Sequence, residues 1–165
     1  MRLTSFNTLP ADECVSSLRE VCAAERWARA VAHGRPYSTA EALVVRSAKE
    51  LAKLTWAEIE GIIAGHSRLG STPAGGGEHV EWSRREQSAL TRLAVSDAAR
   101  LSEANRRYER RFGRVFFVCA ASLELRQVLT TIEERLGNTD EAERVVVRSE
   151  LGKLVDRRLE GLVQP

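Results

Sequence analysis

Residues 38–65 read STAEALVVRSAKELAKLTWAEIEGIIAG and carry two signals for the start of an α-helix. Ser38 and Thr55 are each followed three residues later by a glutamate, Glu41 and Glu58 respectively. In such a capping box the hydroxyl and the carboxylate each accept a hydrogen bond from a backbone N–H that the first helical turn leaves without a partner. The stretch therefore predicts two consecutive helices.

The rest of the chain continues this helical pattern. A third capping box joins Ser83 and Glu86, and apolar residues recur at helical spacing over most of the remaining sequence. At 165 residues and 43% hydrophobic the chain is long enough for one domain with its own core. We predict an all-α, single-domain bundle of about seven to nine helices that spans residues 1–165. The predicted helices lie near 11–22, 24–33, 39–52, 55–65, 83–94, 97–112, 123–136 and 139–162.

The segment from Val115 to Ala120 is an exception to the helical pattern. Its sequence, Val-Phe-Phe-Val-Cys-Ala, is a short apolar run rich in β-branched and aromatic residues. Such a run is typical of a buried strand or of an extended segment between helices. We expect either buried extended chain or the first turn of the following helix.

Composition narrows the class of protein. The formal net charge is +2, and acidic and basic residues are interspersed along the chain, so charge alone does not indicate a nucleic-acid partner. Three cysteines without a Cys-x-x-Cys pair indicate neither a disulfide framework nor a zinc site, and a reducing cytoplasm fits them best. No stretch approaches the ~18 uncharged apolar residues of a membrane span, and residues 1–10 lack the apolar core of a signal peptide. We expect a soluble, cytoplasmic protein.

Two side chains form a candidate catalytic pair. His66 follows the end of one predicted helix, and Glu86 lies in the first turn of the next, with a glycine-rich loop between them. A histidine and a carboxylate held at helix ends can transfer protons near neutral pH without a cofactor. Both residues also have a structural explanation, because Glu86 completes a capping box and a histidine at a helix C-terminus interacts favourably with the helix dipole.

A set of arginines near the end of the predicted helix 97–112 allows a different interpretation. A solvated helix face is the commoner meaning of such a set, and Glu103 and Glu109 offset its charge. The other interpretation is a non-enzymatic helical binding module that contacts phosphates. The residues are Arg106, Arg107, Arg110, Arg111 and Arg114.

Several short motifs follow one another in a recognisable order over about residues 5–163. They are Arg26-Trp27, Arg35-Pro36-Tyr37, His66-Ser67-Arg68-Leu69-Gly70, Trp82-Ser83-Arg84-Arg85-Glu86-Gln87, Asn105-Arg106-Arg107-Tyr108-Glu109-Arg110-Arg111-Phe112-Gly113, Phe116-Phe117-Val118-Cys119-Ala120 and Glu150-Leu151-Gly152-Lys153-Leu154. In order and spacing the chain resembles the OHCU decarboxylases, the 2-oxo-4-hydroxy-4-carboxy-5-ureidoimidazoline decarboxylases of urate breakdown. The resemblance implies an all-helical, usually dimeric enzyme without cofactor or metal, which converts the small molecule OHCU to (S)-allantoin with loss of carbon dioxide.

The resemblance also implies the roles of individual residues. It places the family's catalytic histidine at His66 and its catalytic glutamate at Glu86. The segment 116–120 lines the pocket partly through its backbone. We predict as substrate-binding residues Ser67, Ser83, Arg84, Arg85, Gln87, Phe116, Phe117, Val118, Cys119 and Ala120. Of these, the resemblance implies Ser83, Gln87 and the segment 116–120.

Ser67 is a departure from the family pattern, in which a proline usually follows the catalytic histidine directly. A proline there would restrict the backbone of the histidine, and serine does not. The alternative to OHCU decarboxylation is therefore a divergent homologue that acts on a related ureido or imidazoline acid.

Overall fold

The computed structural model describes residues 1–70, 93–120 and 123–164. Apart from a β-bridge between Arg2 and Gln164, the regular structure of these residues is helical, which confirms the predicted all-α class. Within them lie eight α-helices: α1 (Leu3–Thr8), α2 (Ala11–Val21), α3 (Glu25–His33), α4 (Ala40–Leu51), α5 (Trp56–Ala64), α6 (Val95–Phe112), α7 (Leu125–Leu136) and α8 (Asp140–Leu162).

The sequence located the helices from α2 to α8 well. Each of them begins and ends within two residues of its predicted bounds. The predicted helix at 83–94 lies almost entirely outside the described residues. α1 was missed, because it is only six residues long and buries a single side chain, Phe6, so it offers no repeated apolar spacing to detect.

The capping boxes of α4 and α5 differ in outcome. At α5 the box is formed as predicted, since the Thr55 N–H donates to Glu58 Oε2 at 2.7 Å and the Glu58 N–H donates to Thr55 Oγ1 at 3.3 Å. At α4 the prediction of Ser38 as the cap was wrong by one residue. Thr39 is the extended residue directly before the first turn, and its Oγ1 accepts from the Ala42 N–H at 3.1 Å.

The described residues form two compact units, one made of Met1–Ile62 together with the residues from Gly152 onward, the other of Ile63–Leu151. In the first unit α2 packs on α3 and α3 packs on α4. Its buried side chains include Leu18, Trp27, Val31, Leu43, Ile59, Leu154, Val155 and Leu159. One domain over residues 1–165 stays a prediction.

A pH-dependent contribution to stability is expected from Glu58 in the first unit. The Arg26 guanidinium donates to its carboxylate at 2.9 Å, and this bond, followed by those from Thr55, lowers the pKa of Glu58 from 4.5 to about 2. A carboxyl with a lowered pKa in the folded state stabilises the fold above its unfolded pKa, and this stabilisation is lost as the pH falls through the folded pKa. We therefore expect Glu58→Gln to lower the midpoint of thermal unfolding at pH 7.

The difference from wild type should shrink as the pH falls from about 4.5 to about 2. Circular dichroism melts over this range measure it, with Glu60→Gln, an exposed glutamate of the same helix, as the control. A difference for Glu58→Gln that does not change with pH would contradict the expectation.

A cluster of apolar side chains lies in the described part of the second unit. α6 packs on α7 in this unit. Because Leu101, Ala104 and Tyr108 recur at helical spacing, α6 presents one continuous face to the cluster. The buried members are Leu69, Leu101, Ala104, Tyr108, Phe116, Ala120, Val128 and Ile132.

Two properties of the described residues bear on membranes and metals. None of the helices there combines the length and the apolar character of a membrane span. Nor does that part of the chain bring three or more histidine, cysteine, aspartate or glutamate side chains together in a way that could hold a metal ion.

Candidate active site

His66 lies at the predicted position, just beyond the last turn of α5. Its backbone N–H donates to the Ile63 carbonyl at 2.9 Å, which continues the helical turn past Ala64. The side chain is half-buried and meets the ring of Phe117 edge-on, with the ring centroids 5.0 Å apart and the planes at 85°. The structure thus brings the predicted catalytic histidine against the predicted pocket segment.

The pocket segment, residues 115–120, is neither helix nor strand, in agreement with the expected buried extended chain. α6 ends at Phe112, and Gly113 follows in the left-handed conformation with φ 69°, which glycine adopts without strain. The chain then turns into the segment, where Phe116, Phe117 and Ala120 are buried. Val118 and Cys119 are half-buried.

Side chains from two helices hold the backbone of the pocket segment. Arg135 of α7 donates from Nη1 to the Phe117 carbonyl at 2.9 Å. The Cys119 N–H donates to the Glu150 carboxylate of α8 at 2.9 Å. These backbone groups therefore have protein partners, and they fix the segment at two points that lie on either side of Val118.

Arg135 belongs to a buried polar network. Its guanidinium contacts the Glu143 carboxylate, with side-chain exposures of 6% and 0%, and it lies 4.6 Å from the centroid of the Phe116 ring. Tyr108 donates its hydroxyl to the same carboxylate, and Asn138 donates to its second oxygen at 2.8 Å. Burial, and then the bond to Glu143, raise the pKa of Tyr108 well above its usual range, so the phenol stays a neutral donor.

The loop after His66 is attached to α6. Arg68 donates from Nε to Glu109 at 2.6 Å and from its terminal nitrogen to the other carboxylate oxygen. Asn105, which is 2% exposed, donates to the Leu69 carbonyl at 3.1 Å. Ser67, between these contacts and His66, is half-buried.

The other predicted site residues lie outside the described residues. They are the catalytic Glu86 and the substrate-binding Ser83, Arg84, Arg85 and Gln87. The pairing of His66 with Glu86 stays a prediction.

The sequence analysis gave Asn105, Glu109, Arg135 and Glu150 no role in the site, although three of them, Asn105, Glu109 and Glu150, belong to the family motifs. Asn105 carried a usable signal, since it is a polar residue at an apolar position of the α6 stripe, four residues after Leu101 and three before Tyr108. Arg135 carried none, because charged residues inside amphipathic helices are usually solvated.

The arginine set at the end of α6 is already engaged with oxygens of this chain. Arg106 and Arg110 pair with Glu103, Arg107 with Glu133, and Arg114 with Asp140, while Arg111 donates to the Asn138 carbonyl. These contacts set three carboxylates against four of the five guanidinium groups. They favour the interpretation as an ion-paired helix face over a phosphate-binding one.

Fold and site together define the class: an all-α protein in which a half-buried histidine at a helix end faces an apolar, non-helical segment. A comparison with known families adds that the sequence profile of OHCU decarboxylase matches residues 7–160. A 2-oxo-4-hydroxy-4-carboxy-5-ureidoimidazoline decarboxylase of Amia calva is 32% identical over 169 residues, which cover 99% of this chain and 95% of that protein. The chain belongs to the OHCU decarboxylase family.

Solved structures agree in fold. A crystal structure of OHCU decarboxylase in the presence of (S)-allantoin superposes with a TM-score of 0.74 at 19% identity, covering 87% of this chain and 94% of that one. A crystal structure of (S)-allantoin synthase gives the same TM-score at 16% identity, covering 99% of this chain and 54% of that one. At these identities the likeness concerns the fold alone.

Proposed function

We propose that this protein is a carboxy-lyase that converts OHCU to (S)-allantoin and carbon dioxide in urate breakdown. The observation that carries the proposal is the family match over residues 7–160, together with an Amia calva relative of that name that aligns over nearly the full length of both chains. The contact between His66 and Phe117 supports it, because it gives the proposed proton-transfer group a fixed, partly dry environment.

The substrate supplies its own electron sink. In OHCU the carboxylate is bonded to a ring carbon that neighbours a C=N bond. When the bond to the carboxylate breaks, its electron pair moves into that C=N bond and carbon dioxide leaves. One proton is taken up overall, so the reaction needs proton transfer and orientation rather than an external electron acceptor.

In this mechanism His66 accepts the proton of the substrate hydroxyl, and Glu86 orients the imidazole or the substrate. Return of a proton to one face of the ring carbon that bears the ureido group sets the handedness of allantoin. The segment 116–120 and Ser67, Ser83, Arg84, Arg85 and Gln87 are the proposed substrate contacts. Orientation in a poorly solvated pocket adds to the rate that proton transfer supplies.

We also propose a cytoplasmic location and a homodimer. Cys14, Cys22 and Cys119 are all free thiols, as expected in a reducing compartment. The homodimer rests on the resemblance to the family.

The proposed function predicts stereoselective turnover of OHCU. When the purified protein is added to freshly generated products of urate oxidation, we expect the circular dichroism signal of (S)-allantoin to appear. Spontaneous decarboxylation lacks a chiral environment and gives no net signal. The control is heat-denatured protein at the same concentration.

A protein that leaves OHCU at its spontaneous rate would contradict the proposal and favour the second candidate function, a divergent homologue that acts on a related ureido or imidazoline acid. Ser67 is the observation behind that candidate. Ser67→Pro, assayed in parallel, separates the two, since turnover gained by this variant indicates a drifted OHCU decarboxylase and no turnover in either form indicates another substrate.

A further inference from the structure

Glu109 on α6 links two parts of the candidate site. One is the histidine loop, residues 66–70, and the other is the segment 115–120, which carries Phe117. Glu109 holds Arg68, two residues after His66, through both oxygens of its carboxylate. Its carbonyl accepts from the Gly113 N–H at 2.8 Å, at the point where α6 gives way to the segment that carries Phe117. Glu109 thus connects the histidine loop to the end of α6, which leads into the segment that carries Phe117.

The histidine loop needs such a connection. Ser67 leaves the backbone of His66 without the restriction that a following proline would impose. A catalytic group must stay close to its productive geometry, and loops reach that precision only when other elements hold them. Arg68 with Glu109, and Leu69 with Asn105, are polar contacts that tie this loop to α6, beside the apolar packing of Leu69 against Leu101 and Ala104.

The ion pair is placed to position rather than to stabilise. The side chain of Arg68 is 54% exposed and that of Glu109 is 20% exposed. Because the Arg68 side of the pair is open to solvent, we expect the pair to contribute little to the free energy of unfolding. Bidentate geometry nevertheless restricts where the guanidinium, and the loop attached to it, can lie.

We propose that Glu109 is a positioning residue that acts through Arg68 to hold His66 against Phe117. The expected effect on turnover of OHCU rests on the proposed function. The expected effect on the position of His66 does not. Asn105 supports the same loop one turn earlier on α6.

The test compares Glu109→Ala with Glu103→Ala. Glu103 lies on the same helix, and its partners Arg106 and Arg110 belong to that helix, so its loss leaves the histidine loop untouched. We expect Glu109→Ala to lower kcat for OHCU about tenfold or more, with KM and the thermal midpoint nearly unchanged, since small misplacement of a catalytic group is costly. Glu103→Ala should match wild type.

A charge exchange tests whether the effect passes through Arg68. Arg68→Glu alone places two carboxylates side by side and should be as slow as Glu109→Ala or slower. Adding Glu109→Arg restores the ion pair in reverse and should recover most of kcat. Failure of the exchanged pair to recover, together with a raised KM, would mean that Arg68 binds substrate directly and would overturn the inference.

An NMR measurement keeps the inference testable apart from catalysis. Glu109→Ala should shift the imidazole signals of His66 and leave those of His33, exposed at the end of α3, in place. If the wild-type protein does not turn over OHCU, the proposed function fails, and these signals still decide the inference. Unchanged His66 signals in Glu109→Ala would overturn it.

Discussion

Replacement of His66 by glutamine should lower kcat for stereoselective allantoin formation by about 10²–10⁴, the contribution typical of a positioned acid–base group. Glutamine keeps a polar side chain of similar reach but cannot take up and return a proton near neutral pH. The His66 ring is half-buried, and Phe117 is its one aromatic neighbour among the ring contacts of the described residues. We therefore expect the variant to fold. Circular dichroism in the far ultraviolet checks the fold, and the allantoin signal checks the rate.

The matched control for this experiment is His33→Gln. His33 also lies at the C-terminal end of a helix, α3, and its side chain is exposed. Any general effect of removing a histidine from a helix end would therefore appear in both variants. Equal activity of His66→Gln and wild type would remove His66 from the mechanism.

The largest effect on stability is expected from breaking the buried pair of Arg135 and Glu143. Arg135→Met leaves the Glu143 carboxylate, which is fully buried, without its cationic partner. Removal of one member of a buried ion pair typically costs about 3–5 kcal/mol, because the remaining charge is neither solvated nor compensated. We expect a loss of that size in the free energy of unfolding, measured by urea titration with circular dichroism.

Two further variants show whether burial is the cause. Arg107→Met breaks a similar pair, with Glu133, whose side chains are 46% and 54% exposed, and should cost no more than about 1 kcal/mol. The double variant Arg135→Met with Glu143→Leu removes both charges and should be less destabilised than Arg135→Met alone. Equal losses for Arg135→Met and Arg107→Met would contradict the account.

Arg135 also ties stability to the site. Its guanidinium holds the Phe117 carbonyl while it pairs with Glu143. Phe117 in turn lies against the His66 ring. The buried network therefore orders the wall that the proposed catalytic histidine faces.

How far the sequence could be interpreted depends on the range of the contacts involved. Thr55 and Glu58 are three residues apart, so their capping box was visible in the sequence and is present in the structure. Val147, Leu151, Leu154, Val155, Leu159 and Leu162 recur at helical spacing in the sequence, and all of them except the half-buried Leu162 are buried. Errors arose where two neighbours competed for one role, as Ser38 and Thr39 did, or where a helix was too short to repeat its pattern, as in α1.

In the candidate site, too, local features were visible in the sequence and long-range contacts were not. A histidine after a helix end and an apolar run were both visible as local features of the sequence. The order and spacing of the short motifs, which resemble those of a known family, were visible as well. That His66 meets Phe117, that Arg68 reaches Glu109 and that Cys119 reaches Glu150 were not visible. Hydrogen bonds within a helical turn are fixed by the covalent spacing of neighbours, whereas these contacts join residues 31 or more positions apart and exist only once the apolar faces of the helices have packed.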